Sequence, residues 1–129
     1  MDAGNKIIYM ITRTTLKLLT YSCKLALIVT DQVKVEIAKK IYKKHKLKND
    51  IDYEVEGILL CPGTNDYFLL LDTKYLTHNT IAHEIYHASS RICEDRDVHD
   101  EEAKAWLAGY ITGEMYKFLE KKNLQIKHG

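Results

Sequence analysis

His83, Glu84, Ile85, Tyr86 and His87 are the residues of this 129-residue chain whose types and spacing are best suited to chemistry. Two histidines four residues apart stand one helical turn apart, so their ring nitrogens can converge on a single Zn²⁺. The glutamate beside the first histidine is placed to take a proton from water next to such an ion. At about 100° per residue the two histidines lie within roughly 40° of each other, with Glu84 at their flank and Ile81, Ile85, Ala88 and Ile92 clustered on the opposite side. The spacing predicts a helix with one metal face and one core face.

Two histidines do not complete a catalytic zinc site, which takes three protein ligands and leaves a fourth position for water. The next helix offers Glu102 for the third. On a helical wheel Ala105, Trp106, Gly109 and Gly113 fall within about 60° of it, and small residues let two helix backbones approach closely. The alternative is that these are ordinary packing positions and that Glu102 stabilises a helix N-terminus. Glu101 and Asp100 on the same turn, Asp95 and Asp97 in the preceding connection, and His99 are the competing ligands. The longer pattern HExxHxxGxxH fails, because Ser90 stands where its glycine should turn the chain and Cys93 where its third histidine should be. His78 precedes the motif closely and suits a capping, surface or substrate-orienting role, whereas His45 and His128 lie in lysine-rich segments. Tyr86 and Tyr110 are candidate hydroxyl donors to a developing oxyanion.

The elements that must position these groups follow from periodicity. Thr77 or Asn79 can cap the motif helix, expected over 77–93, and Asp97 or Asp100 can open the next, expected over 99–121. Upstream, Ile51 to Cys61 and Tyr67 to Asp72 flank the turn-forming CPGTND and read as a hairpin whose second strand is largely buried. Its edge beside the metal helix could hold an extended peptide by main-chain hydrogen bonds. Lys24 to Thr30 reads as another strand. Asp31 is a plausible N-cap for a helix with Val33, Ile37, Ala38 and Ile41 as its apolar stripe and a lysine-rich solvated face. Lys6 to Tyr21 fits either a strand pair or a helix. The order is strand, helix, strand, strand, helix, helix: a small α+β domain with a short mixed sheet packed on helices.

With HEIYH and EAKAWLAGY placed on successive helices, the stretch from about Tyr53 to Leu119 resembles the zincin metallopeptidases. It looks closest to minimal single-domain gluzincins of bacteria and their phages, whose third ligand is a glutamate on a following helix, often in an ExxA setting. Glu102 and Ala105 match that setting. The resemblance implies zinc held by His83, His87 and Glu102, with Glu84 as general base in peptide hydrolysis. A second expectation is a gluzincin-like fold that no longer cleaves and uses its cleft, or the basic helix near Lys39 to Lys48, to bind a partner. A third is a structural protein with surface histidines.

Size and charge bound these readings. The chain is long enough for one modest core, hence one domain over 1–129. Lys+Arg of 19 against Asp+Glu of 18 leaves a net charge of +1, with no field to draw the protein onto nucleic acid or anionic lipid. Peptide or protein is the expected partner. Cys23, Cys61 and Cys93 form an odd set without CxxC spacing, which suits a reducing compartment. Arg13, Lys17 and Lys24 interrupt the apolar start, so neither a spanning helix nor a signal sequence is expected, and the chain reads as cytoplasmic from Met1 onward.

Overall fold

A computed structural model describes residues 10–31, 37, 40, 41, 43, 57–63 and 65–128. Among these residues four strands form one mixed sheet in the order β1-β2-β4-β3: β1 is Ile11–Leu18, β2 Cys23–Thr30, β3 Gly57–Leu60 and β4 Asp66–Asp72. β1 pairs antiparallel with β2, and β3 antiparallel with β4. The two hairpins are joined by a parallel pairing of β2 with β4, from Lys24 opposite Asp66 to Thr30 opposite Asp72. Two helices follow, α1 over His78–Asp95 and α2 over Glu101–Lys121. The domain is α+β, as expected.

Alternation along the two central strands sends side chains to two cores. Leu25, Leu27, Val29, Tyr67, Leu69 and Leu71 face one side, where they meet Ile81, Ile85, Ala88 and Ile92 of α1 and Leu107, Ile111 and Met115 of α2. Ala26, Ile28 and Leu70 face the other, with Leu60 and Ile37. Central strands covered on both faces need apolar residues at successive positions, which is why KLALIVT and YFLLLD carry little polar alternation. Ile37, Lys40, Ile41 and Lys43 are helical, and Ile37 and Ile41 pack on the second face as the predicted stripe requires; Val33 and Ala38 lie outside the described residues.

The ambiguous segment before Tyr21 contains the edge strand β1 and a 3-10 turn over Leu19–Tyr21, ending at Ser22 with φ of 53°. Of the strand expected over 51–61, Gly57–Leu60 is found; 51–56 lie outside the described residues. A 3-10 turn at Thr73–Tyr75 links β4 to α1, and Thr77 caps that helix by accepting a hydrogen bond from the Thr80 amide. Asp100 caps α2 through the Glu102 amide. Among the described residues no helix is long and apolar enough to cross a membrane.

Candidate metal centre

α1 runs back along β3 and β4 with three distinct sides. Ile81, Ile85, Ala88 and Ile92 are turned into the core, each at most 2% exposed. His83 and His87 stand on the solvent side of the helix. Glu84, on the flank between, is buried against the start of β3. The core face expected from spacing is present, and both histidines share the side of the helix opposite to it.

The imidazoles converge. His83 Nε2 and His87 Nε2 are 3.1 Å apart, with ring planes at 76°. Two zinc–nitrogen bonds of about 2.05 Å that meet at roughly 98° give the same 3.1 Å separation. The distance equally suits one Nε2–H donating to the other ring. Glu84 Oε2 lies 3.8 Å from His83 Nε2, and the Glu84 side chain retains only 10% of its exposure. The pair and the carboxylate therefore share one site, open toward solvent on the histidine side and closed on the glutamate side.

Glu102 is not brought to this pair. The face expected to bring α2 close to the histidines points to solvent: Glu102, Ala105, Gly109 and Gly113 are exposed, and Trp106 is 77% exposed. Among the described residues nothing lies within 4 Å of a Cβ placed at Gly109 or Gly113, so no described backbone packs on them. Leu107, Ile111, Met115, Phe118 and Leu119 provide the buried stripe instead, about 180° around the helix from Glu102. α2 also lies against a different side of α1. Its Tyr116 hydroxyl bonds His78 Nδ1 at 2.7 Å, and its Lys104 is close enough to Cys93 to act on the thiol's charge. His78 and Cys93 lie roughly 100–160° around the α1 axis from the middle of the histidine pair. With the helices antiparallel, Glu102 stands level with the end of α1, more than one helical turn beyond His87.

The competing ligands have other partners or positions. Asp100 is engaged in capping, Asp97 Oδ1 meets His99 Nε2 at 2.6 Å, and Asp95 accepts from Tyr67 and Arg91. Glu101 is exposed in the first turn of α2. Among the described residues no group of three or more His, Cys, Asp or Glu side chains is arranged to hold a metal ion. Tyr86 and Tyr110 are both exposed, and neither lines the cleft.

The cleft beside the histidines has a volume of about 480 Å³ and lies between α1 and the edge strand β3. Gly57, Ile58 and Leu59 form its strand wall, while His83, Glu84, His87, Ser90, Arg91 and Glu94 form its helix wall. Comparison with models of known families, with curated proteins and with solved structures finds no match to this chain. At the far end Arg91 Nε donates to both Asp95 oxygens, at 3.1 and 3.2 Å, and Tyr67 OH donates to Asp95 Oδ2 at 2.6 Å. Burial pushes the Cys61 thiol, also in the cleft, up to about 11. It is neutral at physiological pH and poorly suited to nucleophilic work.

Ser90, Arg91 and Glu94 were missed as cleft residues, although a signal existed: they follow His87 at i+3, i+4 and i+7 on the same helical face. Gly57 carried no such signal. Its importance depends on the distance between β3 and α1, which periodicity within either element cannot report.

Proposed function

We propose that this protein is a small zinc-dependent peptidase of the gluzincin-like type, in which His83 and His87 hold the metal and Glu84 is the general base. The observation that carries the proposal is the 3.1 Å convergence of two Nε2 atoms beside a buried carboxylate at the edge of a sheet. Zinc would supply Lewis acidity, bringing the pKa of water toward neutrality and polarising the scissile carbonyl. Glu84, on the closed wall of the cleft, takes the proton of the attacking water and passes it to the leaving amine. Among the described strands β3 is the outermost on the side of the histidines, and its outward main-chain groups suit pairing with an extended peptide. A cytoplasmic location belongs to the same proposal.

Glu102 enters as third ligand through the ExxA match alone, and bringing it to the histidines requires the end of α1 and the start of α2 to rearrange. Metal analysis of the purified protein should find about one zinc per chain. His83→Ala and His87→Ala should each abolish binding, while Glu84→Gln keeps the metal and loses hydrolysis of a peptide library. Zinc-free wild-type protein would sink the proposal. Glu102→Ala tests the third ligand separately: unchanged zinc affinity removes it from the site.

The absence of a grouped third ligand among the described residues favours one other reading, a zinc- or partner-binding regulatory module without turnover. It predicts tight zinc binding, no cleavage of any peptide offered, and function that survives Glu84→Gln.

A further inference from the structure

Gly57 opens β3 and lies opposite Leu71 in the β3–β4 ladder. A Cβ placed there would stand 2.8 Å from Glu84 Cγ, 3.2 Å from Glu84 Cδ and 3.0 Å from Leu71 Cδ2. The first of these distances is shorter than real Cβ contacts allow, and it falls on the middle of the Glu84 side chain. Leu71, at 0% exposure, has little freedom to yield. The glycine's role here is therefore one of space. The Glu84 side chain occupies the space that a side chain at 57 would take, and its carboxylate lies beside His83.

We infer that Gly57 is a positioning residue for Glu84: its missing side chain lets β3 close over the glutamate and fix the carboxylate at the wall of the cleft. Gly57 also lines the cleft on both sides of Glu84, one part shared with Ile58, Leu59 and His87 and the other with Asn79 and Thr80. Any side chain at 57 would move the carboxylate relative to the imidazoles or force β3 away from α1. The steric part stands on the geometry alone, whereas the consequence for turnover rests on the peptidase proposal. The two are tested apart.

Thermal unfolding of wild type, Gly57→Ala, Glu84→Ala and the double variant reads the steric contact whether or not the protein hydrolyses anything. Gly57→Ala should lower Tm by about 4–8 °C in the wild-type background and by less than half as much when Glu84 is already alanine. Equal losses in the two backgrounds would overturn the inference. If Gly57→Ala does not fold, the double variant should recover folding, and its failure to do so has the same adverse meaning.

Given hydrolysis by the wild type, Gly57→Ala should keep full zinc content and a KM within about twofold while kcat falls at least about tenfold, as expected when a base is displaced but the substrate still binds. Unchanged kcat would show that Glu84 does not depend on Gly57. A wild type without turnover, combined with unequal Tm losses, would remove the peptidase proposal and leave the positioning contact intact.

Discussion

Arg91 reaches the cleft on a guanidinium fixed from behind, because Asp95 grips its Nε and Tyr67 holds Asp95 from within the core. Replacing Tyr67 by phenylalanine removes one link of that chain and leaves the ring in place. It should cost about 0.5–1.5 kcal/mol in denaturant melts. Cys61, at the same end, gives a pH-dependent prediction. Burial raises its pKa from 9.0 to about 11, so its contribution to stability is complete below about pH 9 and is lost as pH rises through about 11. Melts across that window should show falling stability in the wild type and a shallower fall in Cys61→Ala. Burial, and then the hydrogen bond to Asp95, push Tyr67 in the same direction. At this scale the sequence was informative where the candidate site depends on spacing within one helix, as for His83, Glu84 and His87. It was silent at Gly57, whose meaning comes from another segment.

On the scale of elements, α2 shows how a helical wheel can offer two faces. Ala105, Gly109 and Gly113 suggested close helix approach, while Leu107, Ile111, Met115, Phe118 and Leu119 offered far more apolar surface to bury. At about 25 cal/mol per Å² of buried apolar surface, the larger stripe decides which way the helix turns, and Glu102 turns outward with the small residues. Ile111→Ala, at 0% exposure, should cost about 2–5 kcal/mol, whereas Trp106→Ala, at 77%, should stay within about 0.5 kcal/mol of wild type by the same melts. α1 was read more accurately because its apolar residues formed a single cluster. Its cap makes a further test: Thr77→Ala should cost about 1 kcal/mol through loss of the bond to the Thr80 amide, with zinc content unchanged.

For the molecule as a whole, the α+β class and the order of elements from β2 onward were legible because those strands and helices each have their own periodicity, whereas β1 was ambiguous between strand and helix. The insertion of β4 between β2 and β3 was not, since a period of two fixes which face a side chain takes and leaves the neighbouring strand open. The long apolar runs in β2 and β4 did carry a hint that both belong at the centre of the sheet.

That parallel join also bears on the route by which the chain folds. The β1–β2 and β3–β4 hairpins and the α1–α2 pair are local in sequence, whereas β2 meets β4 only after the long intervening stretch has been closed into a loop. Closing that loop carries an entropic cost before its contacts reward it. Gly57, His83, Glu84 and His87 all lie on one side of the join, within β3 and α1. Substitutions at Leu27 or Leu69, which pair across it, should alter the folding rate most if the join belongs to the transition state. The groups at the cleft could then assemble from neighbouring chain before the two halves of the sheet have met.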